Sequence, residues 1–132
     1  LTSLKSTVMK LFLSTALAIV LTVFILFLTS CSTSPLDTVK YGYLDDCPDY
    51  TMEELVESYF DNPKWESFIA DDGRNYVNVT GGLTLYDEPV QALLQFKIRD
   101  DLFMVKVFEI EGETMTDGDL FELLSNMCVE AF

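Results

Sequence analysis

Apolar and polar positions fall into four successive patterns along the chain. From Leu11 to Ser30 no charged residue occurs, and the stretch is dominated by Leu, Val, Ile, Phe and Ala. From Met52 the apolar residues recur at helical spacing: Met52, Leu55, Val56, Tyr59 and Phe60 lie at i, i+3, i+4, i+7 and i+8, one face of an α-helix. From Trp65 onward the period shortens to two, most clearly in Val90–Ile98, where Val90, Ala92, Leu94, Phe96 and Ile98 alternate with Gln91, Leu93, Gln95 and Lys97. After Gly112 the helical period returns in Leu120, Leu123, Leu124, Met127 and Cys128.

Punctuation residues set the limits of these elements. Thr51-Met52-Glu53-Glu54 is a capping box, in which the threonine hydroxyl accepts from the Glu54 amide and the Glu54 carboxylate reaches back. Asn62-Pro63 stops the helix, so the spacing predicts a helix over 52–61. Strands are predicted over 65–70, 76–86, 90–98 and 103–111. The turns between them are Asp71-Asp72-Gly73-Arg74, Asp87-Glu88-Pro89 and Arg99-Asp100-Asp101. Gly81-Gly82 interrupts the second strand and predicts a bulge or bend. Thr116 opens the last helix as N-cap, with Asp119 three residues on.

Short turns force consecutive strands into antiparallel pairs. The expected fold is therefore α+β: a four-stranded antiparallel meander with an N-terminal and a C-terminal helix packed on one face, two layers in all. Its core is predicted from Leu55, Val56, Phe60, Val77, Val79, Ala92, Leu94, Phe96, Val105, Leu120, Leu124 and Met127. The domain plan is an apolar leader (1–30), a tether and lead-in (31–50), and an α+β globular domain (51–132). Within the lead-in, Val39–Leu44 is tyrosine-rich and is placed to lie against the domain, and Asp45–Asp49 reads as a turn approaching the helix.

The leader carries an address. Lys5 and Lys10 precede the apolar run, the layout of an export signal. The run ends in Leu28-Thr29-Ser30-Cys31 and gives way to polar Ser32-Thr33-Ser34-Pro35. This ending resembles the lipobox of bacterial lipoprotein signal peptides. The resemblance implies cleavage before Cys31, lipidation of that cysteine with palmitate-type chains, and an extracytoplasmic location in the cell envelope. More than one buried acyl chain makes such anchoring stable. In an enterobacterium-like host, Ser32 after the lipid cysteine resembles the sorting signal for the periplasmic side of the outer membrane. The alternative is an uncleaved single-pass anchor, because about twenty apolar residues span about 30 Å as a helix. Leu1 is an unusual initiator, and translation from Met9 would give a compact leader. With Cys31 assigned to lipid, Cys47 and Cys128 remain. An even cysteine count in an exported domain reads as one disulfide.

Charge narrows the function classes. The chain holds 22 Asp and Glu against 8 Lys and Arg, a formal net charge of −14. Both leader lysines are lost on cleavage, which leaves the domain near −16. Nucleic-acid recognition needs a basic footprint and is excluded. A cationic partner would be attracted. There is no histidine, so Ser-His-Asp and Cys-His mechanisms in their usual form are absent. No CxxC, Gly-rich phosphate loop or EF-hand pattern occurs, and neither cofactor nor metal is expected. Asn78-Val79-Thr80 matches a glycosylation sequon but reads as strand in a bacterial protein.

Acidic pairs occupy all three predicted turns. In a meander, Asp71, Asp72, Asp100 and Asp101 fall at one end of the sheet, two strand spacings apart, about 10 Å. Oxygen ligation of a hard cation there competes with a simpler role as polar turns that block edge association. A carboxylate pair for glycoside hydrolysis is formally possible, but no two acids are singled out. Trp65, Tyr76 and Tyr86 are candidate interface aromatics, which otherwise cap a small core. Leu93, on the polar face of its strand, calls for a cover. The expectation is a non-enzymatic, acidic binding domain, with Asp71, Asp72, Asp100, Asp101 and Trp65 as its partner surface. The alternatives are an inhibitor or immunity-type protein docking on a cationic enzyme or toxin, and an enzyme that works through carboxylates alone.

Overall fold

The computed structural model describes residues 33–131. The apolar leader, the Leu28-Thr29-Ser30-Cys31 motif, Ser32 and Phe132 lie outside the described residues. The elements run α1 (Pro35–Lys40), β1 (Tyr43–Leu44), β2 (Cys47–Thr51), α2 (Met52–Tyr59), β3 (Asp61–Ile69), β4 (Asn75–Leu85), β5 (Glu88–Arg99), β6 (Leu102–Ile110), β7 (Glu113–Thr114) and α3 (Asp117–Glu130). The expected α+β class holds, with antiparallel pairing throughout.

The main sheet has five strands, in the order β3-β4-β5-β6-β7, where four were expected. The addition comes from a tight turn at Glu111 (φ 52°) and Gly112 (φ 82°), which reverses β6 so that Glu113 and Thr114 pair with Ile110 and Glu109. Two successive residues at positive φ are the signature of a type I′ hairpin, and glycine adopts the second at little cost.

Of the segment expected to be a tether and lead-in, residues 35–50 form elements of the fold. Ser34 caps α1 by accepting from the Asp37 amide at 3.1 Å, Pro35 fixes its first turn, and Val39 is fully buried. β1 and β2 form a separate two-stranded sheet joined through Asp45-Asp46. Among the described residues three helices, not two, therefore accompany the strands.

α2 starts as predicted. The Glu54 amide donates to Thr51 Oγ1 at 3.2 Å, and the Thr51 amide donates to Glu54 Oε2 at 2.8 Å. It ends earlier than predicted. Phe60 is already extended (ψ 140°), and β3 begins at Asp61, so Asn62-Pro63 lies in a strand instead of merely stopping a helix. β3 is an edge strand, where a proline without an N–H is tolerated. The irregularity expected at Gly81-Gly82 belongs to this neighbour: register shifts between Asp61 and Lys64, while Gly81 and Gly82 pair regularly with Ala92 and Gln91. The glycine serves close approach. A Cβ on Gly81 would sit 3.1 Å from both the Asp61 carbonyl oxygen and Phe60 Cδ1.

The buried side of the sheet is the one the β5 alternation predicts. Ala92, Leu94 and Phe96 are buried and pair with Gly81, Val79 and Val77. Val39, Met52, Leu55, Val56, Phe60, Leu123 and Met127 complete one core with them. Val105, Leu120 and Leu124 were expected in this core but are only partly buried, whereas Cys47, Leu83 and Phe108 belong to it. Val105 nevertheless lies on the core-facing side, opposite buried Phe96, and a bulge puts it there. Gln95 pairs with Val107 but Phe96 pairs with Val105, so Lys106 is an extra residue and the inward positions of β6 change phase there. Each fully buried aliphatic or aromatic side chain contributes about 1.5–3 kcal/mol.

Cys47 and Cys128 are bonded, with their Cα atoms 6.0 Å apart. The bridge ties β2 to α3. Among the described residues no helix is long and apolar enough to cross a membrane.

Candidate interaction surface

The strand register puts two of the acidic turns at one end of the sheet. Ile69 pairs with Asn75 across the Asp71-Asp72 turn, and Arg99 pairs with Leu102 across the Asp100-Asp101 turn. The four acids do not converge on a cation. Asp72 is committed to the protein: it accepts from the Arg74 amide (2.9 Å) and the Tyr76 hydroxyl (2.9 Å), and Lys97 Nζ lies 3.3 Å from it. These bonds, led by the Arg74 amide, hold its carboxyl below the usual aspartate range. The Tyr76 hydroxyl and Asp72 hold the Lys97 ammonium above its usual value. Lys97 also sits 5.6 Å from the Tyr76 ring centroid, and Tyr76 stacks on Phe68 at 5.7 Å. Among the described residues, no group of three or more Cys, Asp or Glu is placed to hold a metal.

The aromatic candidates separate. Trp65, expected on the partner surface, is half-buried. It pairs with Val79, whose side is the buried one, packs against the core, and lies beneath Lys40, whose Nζ is 5.3 Å from the ring. Tyr76 is half-buried in the Phe68–Lys97 stack. Tyr86 is 99 % exposed, at the tip of the β4–β5 turn, where both Tyr86 (φ 49°) and Asp87 (φ 66°) are left-handed. Leu93 pairs with Thr80 and Glu109 on the opposite side of the sheet from the core, while Val39 of the lead-in joins the core. The lead-in is therefore not the cover Leu93 calls for.

Two surface depressions flank α3. One, of about 380 Å³, lies among Tyr59, Phe108, Met115, Glu122 and Leu123. Burial raises the Tyr59 phenol pKa, and the Glu130 and Glu122 carboxylates raise it further, against a hydrogen bond with Asn126 that lowers it. The other, of about 400 Å³, is a groove between α3 and the β1–β2 turn. Its floor is Leu44 and the Cys47–Cys128 bridge, its helical wall is Phe121, Leu124, Ser125 and Val129, and its rim is Asp45 and Asp46. Phe121 is 67 % and Val129 76 % exposed.

Local sequence positions this wall. The Asp119 amide donates to Thr116 Oγ1 at 3.2 Å, and the Thr116 amide donates to Asp119 Oδ2 at 3.0 Å, which fixes the start of α3. The Thr116 hydroxyl, which donates to Asp119 Oδ2 at 2.7 Å, and then the Thr116 amide keep the Asp119 carboxyl below its usual range. With the start fixed, Leu123 and Met127 face the core and Phe121 and Val129 face away from it. The groove was not among the sequence candidates. Its signal was present: Phe121 and Val129 lie off the Leu120–Cys128 stripe of an amphipathic helix. Compared with known proteins, the chain matches no family model, no curated protein and no solved structure.

Proposed function

We propose that this chain is an extracytoplasmic lipoprotein of the bacterial envelope, held to the membrane by lipid on Cys31, whose acidic α+β domain is a binding module for a cationic protein. One observation carries the binding half of this reading: the negative charge is not neutralised within the domain. All 22 acids fall within residues 37–130, no charged side chain among the described residues is buried, and one ion pair, Asp72–Lys97, is formed there. Charge left unpaired at the surface projects a field that draws cationic partners and repels nucleic acid and anionic headgroups. The anchoring half rests on Lys5, Lys10, the apolar run and Leu28-Thr29-Ser30-Cys31.

The test is a crosslinking pull-down of the lipidated protein from its native envelope, repeated across a salt series. The expected catch is a basic protein whose recovery falls as ionic strength rises, since the screening length shortens from about 30 Å at 0.01 M to about 8 Å at 0.15 M. A partner that is acidic, or retained equally at all salt concentrations, overturns the electrostatic reading. Cys31→Ala should abolish uptake of labelled palmitate and leave an unprocessed precursor. Normal processing of that variant, with no label on the wild type, overturns the lipid anchor.

A further inference from the structure

Apolar side chains on α3 divide into two sets that point in different directions. Leu123 and Met127 are buried in the core. Phe121, Leu124, Ser125, Cys128 and Val129 fall at i, i+3, i+4, i+7 and i+8, a second stripe that ends at the disulfide floor of the groove. A helix needs one apolar face to pack on its own sheet. The second face leaves a phenylalanine and a valine two-thirds or more exposed. Clustered exposed apolar residues of this kind, bounded by polar ones, mark a surface that another molecule covers.

Charge says what kind of molecule. α3 carries Asp117, Asp119, Glu122 and Glu130 and no Lys or Arg, and the facing rim is Asp45 and Asp46. Asp45 and Asp46 form no ion pair among the described residues. An acyl chain under anionic headgroups, or a second copy of this acidic chain, would meet the same repulsion. A peptide helix with one apolar face and lysine or arginine on its flanks matches both features, in the helix-in-groove mode of recognition.

We propose that the groove between α3 and the β1–β2 turn is the docking seat for a cationic amphipathic helix of the partner protein, with Phe121 and Val129 as its apolar anchors and Asp45 and Asp46 as its charged rim. This rests on the binding reading above and specifies its surface. The Cys47–Cys128 bridge joins the two walls, so the groove is held in shape before any partner arrives, which lowers the ordering cost of association.

Two designed peptides of about 15 residues, near the minimum for an isolated helix, test it. One arranges leucine and lysine on opposite helical faces. The other has the same lysine count with alanine and serine in place of leucine. Both are titrated onto the oxidised domain at about 0.15 M salt, with binding followed by calorimetry and located by amide chemical shifts. The amphipathic peptide should bind at least about tenfold more tightly and shift Leu44, Phe121, Ser125 and Val129. Phe121→Ser/Val129→Ser should cost at least about tenfold with net charge unchanged. Asp45→Asn/Asp46→Asn should weaken binding and flatten its salt dependence, whereas Asp71→Asn/Asp101→Asn, at one end of the main sheet, should do much less. All three double variants replace exposed residues, and circular dichroism checks that each folds. Equal binding of the two peptides, with Phe121→Ser/Val129→Ser silent, overturns the groove while leaving the electrostatic reading standing. No binding of either peptide even at about 0.01 M salt overturns both.

Discussion

Reducing the Cys47–Cys128 bridge should destabilise the domain by about 4–5 kcal/mol. The two cysteines are 81 positions apart. The chain-entropy relation for a loop of that length gives about 4.5 kcal/mol at 25 °C, from conformations that the cross-link removes from the unfolded chain. A second, smaller loss is expected on replacement by alanine. Cys47 is buried with the core, and deleting its sulfur forfeits packing on the order of one methylene, about 0.8 kcal/mol. Because small domains have about 5–15 kcal/mol in total, the reduced form should sit close to its folding threshold. Urea titrations followed by circular dichroism, on oxidised protein, on protein held in reductant, and on Cys47→Ala/Cys128→Ala, separate these terms. If the entropic account is right, reduction lowers the midpoint and raises the denaturant slope, because the uncrosslinked chain expands further. The alanine variant should then fall slightly below the reduced wild type. A loss under about 1 kcal/mol on reduction, with an unchanged slope, would refute the reasoning and mean that the unfolded chain is already compact around this contact.

Three further outcomes follow from particular residues. Leu94→Ala removes a fully buried side chain at the centre of β5 and should cost about 2–5 kcal/mol in the same titration. Its neighbour Gln95→Ala forfeits only the hydrogen bond to Asn78 Oδ1 and should cost no more than about 1.5 kcal/mol, so comparable losses at the two positions would contradict the β5 register. Replacing Tyr86-Asp87 by Asn-Gly should stabilise by about 1–2 kcal/mol, because both residues hold left-handed backbone that L side chains resist and Tyr86 is almost fully exposed; an unchanged melting temperature would argue against the turn assignment. The folded-state carboxyls of Asp72 and Asp119 are held below their ordinary range, so the stability they confer is fully present above the unfolded aspartate pKa of about 3.9 and is lost as pH falls through their folded values. Asp72→Asn should therefore flatten the acid limb of a melting-temperature profile below about pH 4, and an identical limb in variant and wild type would remove Asp72 from the account.

The fold was legible where one element carried one period. β5 alternates without interruption and lies between two partners, so its inward residues were readable directly. The capping boxes at Thr51 and Thr116 fixed the starts of α2 and α3 because cap chemistry is local to four residues. The failures occurred where partners decide. β7 is two residues long, too short to show any period, and only the Glu111-Gly112 turn announced it. Lys106 shifts the phase of β6 by one, so that Val105 and Phe108 both face inward, which strict single-strand alternation does not show. Gly81-Gly82 signalled an irregularity correctly, but the one extra residue lies across the ladder in β3, whose Phe60–Asp61 approach is what excludes a side chain at Gly81.

The same distinction separates the two surfaces. Asp71, Asp72, Asp100 and Asp101 could be placed at one sheet end from turn order alone, because meander topology follows from loop length. That placement does not make them a site. Asp72 is held by Arg74, Tyr76 and Lys97, and such internal bonding neutralises part of the charge a partner would feel. Asp45 and Asp46 read in the sequence as a turn ahead of a helix. They gain significance only because the Cys47–Cys128 bridge brings their hairpin alongside α3, more than seventy residues later in the chain, and because α3 turns Phe121 and Val129 outward there. A short-range pattern can show that a helix has apolar residues outside its main stripe, but not whether another element of the same chain buries them. In this domain the nearest element is a hairpin turn bearing two carboxylates. It borders the apolar wall without covering it, which is why charge and exposed hydrophobic surface meet at this groove.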